Sequence, residues 1–120
     1  AYFESHPLNP NVQEGLVNVV DRSHPSTDSI PAEFRRADEW YNFKNMNPAV
    51  NVLAKVDEST YKEGKMGNNH PIAWYHNFDG GRAFYTAMGH TKESFSDPIF
   101  LRHLLGGIQW AIGANLPLDY

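Results

Sequence analysis

The chain has 120 residues, enough for one modest core, with a formal net charge of −4, 41% hydrophobic residues and 20% charged residues. Its Lys and Arg are scattered without a basic stripe, which argues against nucleic acid as a partner, and no apolar run approaches the length of a membrane span. It has no cysteine, so disulfides, thiolate nucleophiles and thiolate metal sites are excluded and the redox compartment is left open.

In chain order, residues 1–13 are polar and proline-rich and read as a leading loop. Leu16 to Val20 is a β-branched run of strand composition, closed by the polar turn Asp21 to Thr27. Ile30-Pro31-Ala32-Glu33-Phe34 predicts a short helical turn with Pro31 at its first position. Asp38 to Phe43 alternates polar and aromatic residues with the strand period of two. Asn45 to Ala49 reads as a loop, Val50 to Val56 as a strand, and residues 57–70, rich in Gly, Asn and Lys, as a second loop. Pro71 to Phe78 and Arg82 to Met88 then predict an antiparallel hairpin around Asp79-Gly80-Gly81.

From Pro98 onward the period changes. Phe100, Leu101, Leu104, Leu105, Ile108, Trp110, Ala111 and Ile112 recur at three- and four-residue spacing, the pattern of an amphipathic helix. Asp97 fits its N-cap, Pro98 its first position and Gly113 its stop. Gly106-Gly107 inside it costs helix propensity, about 1 kcal/mol per Gly against Ala, and implies close packing on the sheet. Residues 114–120 read as a tail. One long helix covers one face of a sheet of four or five strands, so the other face calls for further material. Cut edges and an apolar face predict a homo-oligomer or association with an amino-terminal half.

Candidate chemistry centres on His90. It follows Gly89 at the end of a buried strand, where the backbone can turn and present an imidazole at the sheet rim, the edge where open α/β sheets bind ligands. An imidazole there can act as acid or base near neutral pH. Asp38-Glu39-Trp40-Tyr41 supplies two carboxylates and two aromatic rings, groups that bond sugar hydroxyls and stack on sugar faces. If the segment is a strand, Glu39 and Tyr41 share one side and Asp38 and Trp40 the other, and either pair is a candidate. His24 and His70 precede prolines, as does His6, so each is expected on extended or turn backbone. With His90 and a carboxylate, His24 and His70 offer a nitrogen/oxygen set of the kind zinc accepts; turn histidines bonded to backbone are the plainer reading. Arg82 is read either as a partner of Asp38 or Glu39, or as a ligand for a sugar hydroxyl. Trp74 is assigned to the core, His103 to a cap or the helix surface. No nucleophile elbow surrounds Ser94 or Ser96.

The blocks Asp21-Arg22-Ser23-His24-Pro25, Asp38-Glu39-Trp40-Tyr41, Val52-Leu53-Ala54, His70-Pro71-Ile72-Ala73-Trp74, Gly81 to His90 and Phe100 to Ala111 resemble, in order and spacing, the ThuA-like (trehalose-utilization) family. The resemblance implies an α/β, flavodoxin-like sandwich related to class I glutamine amidotransferases, of which this chain looks like the carboxyl-terminal half. It implies a role in carbohydrate metabolism, with a disaccharide or keto-sugar as small-molecule partner and a sugar dehydrogenase as a possible neighbour. No cofactor is implied. The acid after His90 comes three residues later, at Glu93, where the amidotransferase relatives space His and Glu two apart, and their Cys has no counterpart here. The expected roles are therefore His90 as acid/base with Glu39 or Asp38, and Tyr41, Trp40, His24, His70 and Arg82 as substrate contacts. The alternatives are a non-catalytic sugar- or protein-binding module and, third, a zinc-dependent hydrolase.

Overall fold

A computed structural model describes residues 1–113; the expected tail at 114–120 lies outside the described residues. Among the described residues there are seven strands and one α-helix: β1 (Tyr2–Ser5), β2 (Gln13–Val19), β3 (Glu33–Asp38), β4 (Asn42–Lys44), β5 (Asn51–Asp57), β6 (Pro71–Phe78), β7 (Gly81–Thr86) and α1 (Pro98–Ile112). The main sheet has the order β3-β2-β5-β6-β7 and every pairing in it is antiparallel; β1 and β4 form a separate two-stranded ribbon.

The β6–β7 hairpin follows the sequence closely. Phe78 pairs with Gly81, leaving Asp79 and Gly80 as a two-residue turn with φ of 50° and 79°. Positive φ at both positions is the primed geometry that matches strand twist. Paired residues share a face, so Tyr75 and Phe84 point one way and Trp74 and Tyr85 the other.

Helix α1 packs on the Tyr75/Phe84 face. Asp97 caps it, accepting the Ile99 N–H at 3.0 Å, and Gly113 ends it in the left-handed region at φ 85°. The two internal glycines are where the helix sinks in: a Cβ on Gly106 would lie 2.2 Å from the Pro25 carbonyl oxygen, and one on Gly107 2.2 Å from the Phe84 ring. The buried hydrophobic core includes Val17, Phe34, Leu53, Val56, Ile72 and Phe100.

Five expectations change. The leading loop contains β1, whose Phe3 pairs with Phe43. The helical turn comes earlier than Ile30: the N–H groups of Thr27 and Asp28 both donate to the His24 carbonyl, while Ala32 already accepts from Val19, so Glu33 to Asp38 is a strand on β2. The strand expected over Asp38 to Phe43 breaks at residues 39–41, because the Asp38 carboxylate takes the Glu39 N–H at 3.0 Å in place of a ladder partner. The helix also divides its apolar residues. It buries Phe100, His103, Gly106 and Gly107, while Leu101, Leu105, Ile108 and Ile112 face outward. His103 is thus fully buried, not a surface group.

Candidate functional site

In β3, Phe34, Arg36 and Asp38 alternate inward. Asp38 is fully buried at the strand's end and meets only donors. Arg36 Nε donates to Oδ2 at 3.1 Å, Gly89 N–H to Oδ2 at 2.8 Å, His90 N–H to Oδ1 at 3.0 Å and Glu39 N–H to Oδ1 at 3.0 Å. Arg36 is itself fixed from three further sides: it donates to Asp97 Oδ2 at 3.0 Å and Ser94 Oγ at 2.7 Å, and lies over the Phe100 ring at 5.3 Å. Such a carboxylate is held by charge-assisted bonds in a dry setting, where they are strong. Gly89 completes the arrangement. Its φ of 107° suits glycine, and a Cβ would sit 2.7 Å from the Phe100 ring.

The consequence is that His90 and Glu39, from opposite edge regions of the sheet, meet. His90 Nε2 lies 3.5 Å from Glu39 Oε2, with the His90 side chain 43% exposed and that of Glu39 only 6% exposed. Asn11 Nδ2 donates to the same oxygen at 3.1 Å. His6 Nδ1 stands 3.9 Å from it while donating to its own Pro7 carbonyl at 2.7 Å. Tyr41 stands next to Glu39: burial, then the Glu39 carboxylate, push its phenol above the ordinary range.

The predicted residues therefore separate. Glu39, Tyr41 and His90 share one site, in which His90 is exposed, Tyr41 half-buried and Glu39 buried. Asp38 lies beneath it as an anchor. Trp40 is fully buried over Gly15 and donates from Nε1 to the Gln13 carbonyl at 2.9 Å, so of the two alternative pairs it is Glu39 and Tyr41 that stand beside His90, with Glu39 itself buried. His70 is also buried. Its Nε2 donates to the Tyr41 carbonyl at 2.8 Å and its Nδ1 meets Glu58 at 2.9 Å and the Tyr61 hydroxyl at 3.0 Å, so it supports the backbone of Tyr41 without facing solvent. His24 is buried on the helix side, its ring 4.5 Å from Tyr75 and 5.0 Å from Trp110 between centroids. Its Nδ1 accepts the Ser26 N–H at 3.1 Å, which places the proton on Nε2, and Nε2 has no partner among the described residues. Arg82 does not reach Asp38 or Glu39. Its guanidinium meets the carboxyl end of α1 at Gly113 and lies 6.0 Å from the Trp110 ring. There it complements the negative end of the helix dipole.

His24, His70 and His90 thus sit in three separate environments, and no group of three or more His, Asp or Glu able to hold a metal is present among the described residues. The zinc set drawn from these three histidines does not assemble. Nor does the strand-end rule explain His90, because the sheet is antiparallel; the Asp38 carboxylate does. His6 and Asn11 were not singled out for this site. The histidine before proline was the only visible signal for the first, and nothing marked the second.

The site borders an aromatic cleft of about 450 Å³ on the face opposite α1. Trp74 and Tyr85 stack at 4.4 Å, Phe43 meets both edge-on at 5.2 and 5.8 Å, and Phe3 meets Tyr41 edge-on at 4.9 Å. Tyr41 belongs to both places, lining the cleft and flanking Glu39.

A mixed α/β chain with one carboxyl-terminal helix on a curled sheet and an acid/imidazole site at its rim defines the class. The family model ThuA, described as trehalose utilisation, matches residues 1–111, and the chain belongs to this family. The fold agrees with the flavodoxin-like fold of ThuA-like proteins. A ThuA-like protein from Bacteroides uniformis ATCC 8492 is 28% identical with a TM-score of 0.72, over 92% of this chain and 46% of its own. One from Parabacteroides merdae ATCC 43184 is 24% identical with a TM-score of 0.67, over 97% of this chain and 43% of its own. The chain thus spans under half the length of these relatives. No curated protein matches it. The family description ties the chain to a carbohydrate-related role.

Proposed function

We propose that Glu39, Tyr41 and His90 form the carbohydrate site of this chain, binding or processing a disaccharide or keto-sugar. The observation that carries the reading is the 3.5 Å approach of His90 Nε2 to a Glu39 oxygen, with the backbone of both residues held by one buried carboxylate. In this reading the imidazole takes a proton from a sugar hydroxyl, or from the carbon beside a keto group, and returns it. Glu39 orients the ring and stabilises its protonated form. Asn11, Tyr41 and His6 surround the same carboxylate and suit hydrogen bonding to hydroxyls. Asp38 and His70 act as positioning residues.

The test is calorimetry of the chain against trehalose, other disaccharides and their keto derivatives, run beside a product assay. His90→Ala is expected to abolish turnover and Glu39→Gln to weaken binding. A His90→Ala protein that binds and turns over these sugars as well as the parent would reject the proposal. The second reading is a non-catalytic binding module, partnered with a sugar oxidoreductase or with the rest of the family fold. It predicts binding without product.

A further inference from the structure

The aromatic cleft beside Tyr41 is not explained by a site for sugar hydroxyls. Its lining includes Phe3, Tyr41, Phe43, Trp74, His76 and Tyr85, and among the described residues no Asp, Glu, Lys or Arg side chain lines it. A second sugar ring carries several hydroxyls, each of which loses water on entry and needs a partner. Besides two phenols, one indole N–H and one imidazole, the described lining has no carboxylate, amide or guanidinium side chain to bridge neighbouring hydroxyls. What the cleft offers is carbon: a stacked indole and phenol as floor, with Phe43 and Phe3 as walls. Flat apolar groups gain most from such a surface.

We propose that this cleft is an aglycone subsite: the protein takes a glycoside whose non-sugar part is a flat apolar or aromatic group, seated between Phe3, Phe43 and Tyr85 while the sugar lies over Glu39 and His90. This rests on the sugar reading of Glu39 and His90. The occupant follows from two features. Tyr41 is shared, so a single ligand spans both places across one glycosidic link. The described lining of the cleft is also mostly aromatic carbon, with no carboxylate or guanidinium among its side chains, which suits a flat apolar group better than a second polyol.

The experiment compares three probes by calorimetry: methyl glucoside, 4-nitrophenyl glucoside and 4-nitrophenol. The nitrophenyl glucoside is expected to bind at least ~10-fold tighter than the methyl glucoside, the worth of a good part of one buried apolar side chain. Phe3→Ala, at a 53% exposed position on β1, should erase that ratio and leave methyl glucoside unchanged. Ala83→Glu, which puts a charge on the cleft wall, should do the same and guards against a loss of β1 alone. Glu39→Gln should weaken both glucosides in equal proportion. Equal binding of the two glucosides, still sensitive to Glu39→Gln, overturns the aglycone subsite and leaves the sugar site standing. Binding of 4-nitrophenol as tight as that of its glucoside, with no effect of Glu39→Gln, overturns the sugar site itself. A dimer in sedimentation that Phe3→Ala dissociates, with no preference among the probes, gives the cleft to a second copy and overturns the proposal.

Discussion

Asp38 holds His90 by its backbone, not its ring: the buried carboxylate accepts the His90 N–H at 3.0 Å and the Gly89 N–H at 2.8 Å, so the imidazole is aimed by an atom it never touches. Every group around Asp38 is a donor. Asp38→Asn therefore does more than remove a charge, because its amide hydrogens must face N–H groups or the Arg36 guanidinium. Breaking such a buried pair costs about 3–5 kcal/mol, and Asp38→Asn is expected to fall in that range in chemical denaturation. Glu39→Gln, which keeps the oxygen that accepts from Asn11, should cost less than Asp38→Asn, about 1 kcal/mol.

The seat of the helix is set by Gly106 more than by its leucines. A methyl group there meets the Pro25 backbone at 2.2 Å, which a side-chain rotation cannot relieve. Gly106→Ala should raise helix propensity by about 1 kcal/mol yet lower stability by about 1–3 kcal/mol through overpacking. A more stable Gly106→Ala protein in thermal melts would contradict the packing described.

Acid should weaken the fold through buried imidazoles. Burial pushes His103 down to about 4, and His24 down as well. Above the ordinary value near 6.5 the ring is neutral in both folded and unfolded chains. As pH falls from there towards about 4, the unfolded chain takes up a proton that the folded one refuses. Stability is therefore full above that window, declines across it and levels off below, by on the order of 3 kcal/mol for His103. Urea melts across this range should show the decline, and His103→Gln should flatten most of it.

Tyr41 gives a direct readout of its acidic neighbour. Its phenol is raised first by burial and then by Glu39, so Glu39→Gln should bring its titration part of the way back towards 10 and no further. Ultraviolet titration, with Tyr41→Phe to assign the signal, measures this. An unchanged titration would mean that Glu39 and Tyr41 do not sense one another in solution.

The outward stripe Leu101, Leu105, Ile108 and Ile112 is expected to make the 120-residue chain self-associate. Each of the four is more than 40% exposed, which leaves a continuous apolar strip on one helix face. Leu105→Glu with Ile108→Lys should shift sedimentation towards monomer. A parent protein that is monomeric at high concentration would refute the expectation.

Much of the fold was legible because it is local. The hairpin turn, the helix caps and the glycine seat are each written within a few residues. The break after Asp38 was not legible, because its alternation of polar and aromatic residues is the same whether Trp40 is buried by strand geometry or by the gap above Gly15. The helix periodicity was read correctly as a helix and wrongly as a single buried face, since glycine and histidine, not leucine, occupy the contact. Of the site, His90, Glu39 and Tyr41 could be named from residue type. Their meeting could not, nor could the entry of His6 and Asn11, which depends on where a proline-rich leading segment lies. Arg36 was missed although it follows the inward rhythm of Phe34 and Asp38, because an arginine in that rhythm reads as solvent-facing until its partners Ser94 and Asp97 are in place.

The Nε2–H of His24, unpaired among the described residues, has a practical use. A proton enclosed by Tyr75, Phe84 and Trp110 is shielded by ring currents and exchanges slowly with solvent, so it should give an isolated line in the NMR spectrum, free of overlap. That one resonance would report on whether helix and sheet remain docked, without any label or engineered probe.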